Sequence, residues 1–254
     1  MRVTIAFMRV AAIYDIHGNL PALEAVLEEI SKVGVDRVVV GGDVVPGPMP
    51  RETLRCLLDI QVPTQFIYGN GEVALLEQMA GRDSTAVPER YRPIVRWTAE
   101  QLSEHRQMFA SWPKTNSVEI PGLGRVLFCH ATPRSENEIF TRLTAEDRLS
   151  PIFEGLNVPV VVCGHTHMQF ERMIGNIRVV NAGSIGMPFG EPGADWLLLD
   201  EGIQHMHTSY DLDKAADRIR QSGYPEADDF VARYLFKPPT EKEMLEAFSH
   251  AEIR

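Results

Sequence analysis

Val158-Pro159-Val160-Val161-Val162-Cys163-Gly164-His165-Thr166-His167 decides how the rest of the chain is read. Its β-branched run has the length and composition of a buried strand, and it ends at a glycine followed by two histidines one residue apart. An imidazole binds a divalent cation only in its neutral form, and an unperturbed pKa of about 6.5 makes histidine well suited to that at neutral pH. The two histidines are either half of a metal site or an ordinary loop pair. The other Val-rich runs favour the first, because several of them also stop at a residue able to hold a metal.

From Arg9 onward, short β-branched runs alternate with helical periodicity, the signature of βα units in an α/β or α+β layered domain. Strands are expected over residues 10–14, 37–40 and 65–68. Pro21 opens a helix reaching residue 32 that carries Leu23, Val26, Leu27 and Ile30 on one face, and Pro50 opens the next. A helical region fills much of the span to residue 111. The chain then turns strand-rich, over 117–120, 125–129, the run from Val160, 170–174, 177–180, 196–199 and 204–210. From Leu212 the tail is helical and charged, broken at Gly223-Tyr224-Pro225 and Pro238-Pro239. No internal repeat or linker-like composition shift occurs, so residues 8–254 are expected to form a single domain with a helical C-terminal tail from 212.

The 254 residues are 44% hydrophobic and 24% charged, a globular composition with enough apolar residues for one sizeable core. A formal charge of −10 argues against a surface that grips long nucleic acid through counterion release. Small anionic substrates stay open, since bound cations would dominate the local field. Cys56, Cys129 and Cys163 are too few for a disulfide framework, and a reducing cytoplasm is expected. No run reaches the roughly 18 apolar residues of a membrane span, and no signal-peptide pattern is present; a membrane partner is not expected. Met1-Arg2-Val3 is echoed at Met8-Arg9-Val10, which makes Met8 a candidate start. The charged tail is a candidate cap on the domain or a homo-oligomer contact.

Collected in order, the residues at the strand ends are Asp15 and His17, Asp43, Asn70, His130, then His165 and His167. Ligands of open α/β sheets gather outside the carboxyl ends of the strands, so these positions can converge although they lie far apart in sequence. One carboxylate such as Asp43 can bridge two cations. Asp15, His17 and one of the late histidines would then complete one site, and Asn70, His130 and the other late histidine the second. Mixed N/O ligation without thiolate suits Mn, Fe, Zn or Co rather than a structural zinc. Gly18, Gly42, Gly69 and Gly164 each adjoin one of these residues, where a chain leaving a strand needs a conformation or a close approach that a Cβ would block.

The segments Asp15-Ile16-His17, Gly42-Asp43, Gly69-Asn70-Gly71, His130 and Gly164-His165-Thr166-His167 resemble the pattern of the calcineurin-like metallophosphoesterases. That pattern is Asp-x-His, Gly-Asp, Gly-Asn-His, a lone His and Gly-His-x-His. Each piece alone is weak; five in order, each after a strand, are specific. The resemblance covers residues 9–210 and is greatest with the small bacterial phosphodiesterase branch. It implies a four-layer αββα sandwich, two mixed β-sheets face to face with helices outside. It also implies two divalent transition-metal ions, Mn first, with Fe, Zn, Co or Ni as alternatives. One ion would be held by Asp15, His17, Asp43 and His167, the other by Asp43, Asn70, His130 and His165, and a hydroxide bridging them would attack phosphorus in line. The implied activity is hydrolysis of phosphoric esters. The alternatives are a phosphomonoesterase or protein phosphatase of the same fold, or a non-catalytic metal-binding scaffold.

One departure from the family pattern bears on substrate. Gly71 stands where the family usually has the His of Gly-Asn-His, a residue thought to assist phosphate binding or to protonate the leaving group. Its loss penalises poor leaving groups and is expected to leave room beside the scissile phosphate, so activated or small cyclic phosphodiesters are the expected substrates.

Several residues have two readings. Arg134 is a candidate phosphate contact, since a guanidinium binds phosphate oxygens bidentately, or an exposed loop arginine. Asn19 is a candidate substrate contact or the N-cap of the helix that follows. Glu72 is expected to start a helix, its charge favouring the dipole. His205 and His207 share the H-x-H spacing but lack carboxylates nearby in sequence, while His105 and His250 read as solvent-facing. Residues 181–186, Asn-Ala-Gly-Ser-Ile-Gly, read as a tight turn, with Ser184 a candidate for approaching substrate. Asp211 and Asp213 read as cap and first-turn charge.

Overall fold

All the strands marked by the periodicity form in the computed structural model of the protein, which describes residues 8–85 and 87–253. The echo of the start at Met1-Arg2-Val3 lies outside the described residues. The first half runs β1 (Val10–Ile13), α1 (Leu20–Val33), β2 (Arg37–Val40), α2 (Pro50–Leu58), β3 (Thr64–Phe66), α3 (Asn70–Met79), α4 (Arg92–Gln101) and α5 (Arg106–Ser111). The second runs β4 (Thr115–Ile120), β5 (Gly124–Cys129), α6 (Glu146–Phe153), β6 (Val160–Cys163), β7 (Gln169–Ile174), β8 (Ile177–Ala182), β9 (Ala194–Leu199) and β10 (Ile203–Thr208). The tail adds α7 (Leu212–Gln221), α8 (Ala227–Phe230) continuing into a wider π turn at Val231–Phe236, and α9 (Glu241–Ser249). The helical span expected up to residue 111 divides in three, because Gly81 adopts φ +75° just beyond α3 and Pro88 follows.

Two five-stranded sheets form, in the orders β10-β9-β1-β2-β3 and β4-β5-β6-β8-β7. Each is mixed, so the layered α+β architecture is as expected. The period of two explains why the strands read as unbroken apolar runs. Val10, Ala12 and Tyr14 face Phe128, Val160 and Val162 of the other sheet. The alternate residues Ala11 and Ile13 turn the other way, into the cluster that holds Leu23 and Val26 of α1. On the far side, Val161 and Cys163 meet Leu149 and Phe153 of α6. Each fully buried Val side chain contributes on the order of 2 kcal/mol of transfer free energy. Tyr14 crosses the sandwich, its hydroxyl donating to the Val162 carbonyl at 3.2 Å.

Strand direction then positions the site. β1, β2 and β3 are mutually parallel, as are β5, β6 and β8. All seven strand-end residues lie just beyond the carboxyl ends of β1, β2, β3, β5 and β6, six in the loops and Asn70 at the first position of α3. Among the described residues no helix is long and apolar enough to cross a membrane.

Candidate metal centre

Beyond the last ladder pair, the β1 and β2 loops stay bonded. Asp15 N donates to Gly42 O at 3.1 Å, His17 N to Asp43 O at 2.9 Å and Gly18 N to Val44 O at 2.9 Å. Against this support the backbone is strained. Among the described residues the non-glycine positions with positive φ are Asp15 (52°), His17 (47°), Asp43 (50°), His165 (70°) and His167 (55°). Every one is a residue that the sequence singles out as a ligand. A non-glycine residue held there costs roughly 1–3 kcal/mol, and such strain gathers at functional sites.

The histidines show what the strain positions. His130 Nδ1 donates to Gly41 O at 2.9 Å, His167 Nδ1 to Met187 O at 2.9 Å and His17 Nδ1 to Pro46 O at 3.3 Å. A carbonyl only accepts, so in each neutral ring the proton sits on Nδ1 and Nε2 is left as a bare lone pair. The Nε2 atoms of His17 and His167 then face each other at 3.2 Å. Asp15 Oδ1 lies 3.3 Å from His167 Nε2, 3.8 Å from His130 Nε2 and 3.9 Å from His17 Nε2, and it is buried with no hydrogen-bond partner. Asp43 reaches both ways, Oδ2 to 3.6 Å from His17 Nε2 and Oδ1 to 3.5 Å from His130 Nε2. Two imidazole Nε2 atoms and the oxygens of two carboxylates thus converge on one small buried volume, an arrangement that a cation bound among them would neutralise.

Two groups of donor atoms are close enough to share an ion, Asp15 with His17 and His167, and Asp15 with Asp43 and His130. Asn70 joins the second side, its Oδ1 3.0 Å from His130 Nε2. His165 stands beside the same group, its ring edge-on to that of His130 with centroids 5.2 Å apart. Burial, and then the charge of His167, pushes His17 down to about 3; burial, and then His130, does the same to His165. Both are held in the form that binds metal. Burial would raise Asp15, but His167 and His130 outweigh it and hold the carboxyl below its usual range. Burial and the charge of Asp15 push Asp43 up instead.

The supporting groups come from places that no local pattern reveals. Glu72 is fully buried, and its carboxylate accepts from Asp43 N (2.8 Å), Val44 N (2.9 Å), Val45 N (3.3 Å) and Gly69 N (2.7 Å). It does open α3, but its work is to staple the β2 loop to that helix. Burial, with the charge of Asp43, pushes Glu72 up to about 7, against the four N–H donors. The 181–186 turn braces the two halves of the site. Asn181 Nδ2 donates to Gly164 O at 2.7 Å, Ser184 Oγ to Asp15 O at 2.7 Å and Gly186 N to Asp15 O at 2.9 Å. Gly164 is required by close approach, since a Cβ there would lie 2.4 Å from Asp15 Oδ2.

Asn19 spends both ends of its amide on structure, accepting from Ala22 N as the N-cap of α1 and donating to Gly186 O at 3.0 Å and Tyr210 Oη at 3.2 Å. Arg134 is half exposed, and its guanidinium is held by Glu138 at 2.6–2.7 Å. Asp211 caps α7 through Lys214 N at 3.0 Å. His207 does have a carboxylate beside it, Asp195 Oδ1 at 2.8 Å across the β9–β10 register. Gly71 borders open space, but not where its own side chain would go. Gly71 N donates to Asp43 Oδ1 at 2.6 Å, and a Cβ at this position would meet Val45 O at 2.1 Å.

The open space lies to one side instead. A cavity of about 280 Å³ opens from His17, Asp43, Asn70 and Gly71 and runs between Ala74, Ile94, Val95 and Met187. Its lining includes neither lysine nor arginine, and no motif in the sequence marks it.

The calcineurin-like phosphoesterase superfamily domain profile matches residues 8–202, more than half of the chain. An uncharacterized protein of Methanocaldococcus jannaschii is 28% identical over 239 residues, which span 85% of this chain and 94% of that protein. Among solved structures, a metallophosphoesterase from Sphaerobacter thermophilus superposes with a TM-score of 0.69 at 27% identity, covering 89% of this chain and 98% of its own. A hypothetical protein from Pyrococcus horikoshii, 21% identical, has the same fold with a TM-score of 0.76 over 92% of this chain and 100% of its own. The chain belongs to the calcineurin-like phosphoesterase superfamily.

Proposed function

We propose that the protein is a metal-dependent phosphodiesterase working with two divalent transition-metal ions, Mn first among them. Asp15, His17, Asp43 and His167 would hold one ion, and Asp43, Asn70, His130 and His165 the other. The observation that carries this is the convergence of ligand atoms: the Nε2 atoms of His17 and His167 face each other at 3.2 Å, with the unpartnered Asp15 Oδ1 beside them. The donor set fits such ions, being mixed N/O with no thiolate. Cys129 and Cys163 lie in the strands with thiols pushed up by burial.

When bound, the ions supply Lewis acidity toward a phosphoryl oxygen and lower the pKa of a water in contact with them. The chain's own residues do the rest. The Nδ1–H donations to Gly41, Pro46 and Met187 carbonyls fix the three rings, and Asp43 offers one oxygen to each side. The diesterase preference rests on charge. No cationic side chain lines the cavity beside the site, while Glu226 and Asp229 do. A singly charged diester suits this wall better than a doubly charged monoester. The free cysteines Cys56, Cys129 and Cys163 support a cytoplasmic setting, and the tail is read as part of the same domain.

The test is hydrolysis of bis(4-nitrophenyl) phosphate and of 4-nitrophenyl phosphate with added Mn, by wild type and Asp43→Ala. Diester turnover above monoester turnover, falling at least 100-fold in the variant (about 2.7 kcal/mol of transition-state stabilisation), is the expected result. Higher efficiency on the monoester would sink the diesterase preference. Turnover indifferent to Asp43 would remove the metal centre from the chemistry.

A further inference from the structure

The cavity differs in chemistry from the centre it adjoins. Beyond its aliphatic side it is walled by Tyr91, Tyr224, Phe230 and Tyr234. Three of these rings already pack on one another. Phe230 meets Tyr224 edge-on at 6.1 Å and 89° and Tyr234 at 5.3 Å, while Trp97 meets Tyr224 from behind at 5.5 Å. At the rim stand Glu226 and Asp229, both exposed. Asp229 pairs with Arg233 at 3.6 Å, and the Arg90 guanidinium lies 4.6 Å over the Tyr91 ring, while Glu226 stands at the rim without an ion pair among the described residues. Three of the four rings come from residues after 202, beyond the span that matches the family.

We propose that this cavity seats one ester arm of the substrate, and that the arm is a planar aromatic group carrying no negative charge. The proposal rests on the phosphodiesterase reading of the adjoining centre. The reasons are continuity, size and charge. The cavity begins at His17, Asp43, Asn70 and Gly71, so an arm within it is attached to a phosphate at the proposed ions. Its volume is at the lower end of small-molecule pockets, enough for one ring system. Aromatic pairs add about 0.5–1.5 kcal/mol each beyond burial when they meet offset or edge-on. A carboxylate or further phosphate on the arm would face Glu226 at the rim, and the nearby Arg90 and Arg233 are engaged by the Tyr91 ring and by Asp229 and are not among the residues that line the cavity.

The test compares Mn-loaded wild type with Tyr91→Ala and Tyr234→Ala, whose rings are only partly buried, and with Val87→Trp, which fills the cavity rather than emptying it. Melting temperatures establish that each variant folds. Two diesters are used, bis(4-nitrophenyl) phosphate and ethylene phosphate, a cyclic diester without an aromatic ring whose opening is followed by phosphorus NMR. The ratio of their kcat/KM values is expected to fall at least tenfold in every variant. A second readout needs neither metal nor turnover: saturation-transfer NMR on metal-free protein with benzyl alcohol and benzoate. Benzyl alcohol is expected to receive saturation that weakens in Tyr234→Ala, and benzoate much less. Hydrolysis of both diesters with an unchanged ratio overturns the proposal, as does equal saturation of the two probes. Failure of every protein to hydrolyse either diester overturns the phosphodiesterase reading instead, and the NMR comparison then decides whether the cavity selects uncharged rings.

Discussion

His17 combines the properties of the centre in one side chain. It sits at φ +47°, points its Nε2 at that of His167 at 3.2 Å, and has its pKa pushed down to about 3 by burial and by His167. Its folded-state pKa lies below the unfolded value of about 6.5, so the stability that its neutral form confers is complete above that value and drains away as pH falls. In chelated protein, wild type should lose about 2 kcal/mol more than His17→Asn between pH 7 and pH 5, at close to 1.4 kcal/mol per pH unit for one proton. Asn tolerates the left-handed backbone, which makes it a fair replacement. Urea titrations at the two pH values read the difference; parallel acid limbs in both proteins would contradict the buried neutral imidazole. At this scale the sequence was informative about which residues meet, because each lies just beyond an apolar run and four of them, His17, Asp43, Asn70 and His165, adjoin a glycine. It was silent about how they meet. The Nδ1–H partners of His130 and His167 are backbone carbonyls of Gly41 and Met187, and a carbonyl has no residue-type signal.

Among the elements, β2 and α3 are joined by a single carboxylate. Glu72 accepts the N–H groups of Asp43, Val44 and Val45 as well as that of Gly69 at the start of its own helix. Glu72→Gln keeps the shape but sets an amide NH2 against two of those donors. It should cost about 3 kcal/mol of stability, the scale expected for buried donors left without an acceptor. It should also weaken Mn binding, since the loop that it releases carries Asp43. Denaturant unfolding and a Mn titration check both; unchanged stability would show that water replaces the carboxylate. The helix start at Glu72 was legible from local charge. Its partners were not, because they lie 27–29 residues earlier in the chain. The same distance hid the cost of a side chain at Gly71, which only the Val45 carbonyl reveals.

Across the whole molecule, two parallel sets of strands bring loops from five strands to one edge, and the tail closes around them. Phe189 stacks on His167 at 5.2 Å and in turn meets Phe248 of α9 at 6.3 Å, so the last helix backs onto the ring of a proposed ligand. The layered α+β class was legible because strands buried on both faces leave continuous apolar runs, while the two-sheet sandwich came from the family resemblance. The tail's part was not, since Tyr224, Phe230 and Tyr234 reach the cavity through tertiary packing and follow no motif. The most direct test of the two-ion centre is anomalous diffraction at the Mn edge from crystals of chelated and Mn-reloaded protein. The account predicts two peaks, one touched by His17 and His167 and the other by Asn70 and His130, with Asp43 in contact with both. Full Mn exposure with no peak among these residues would contradict it.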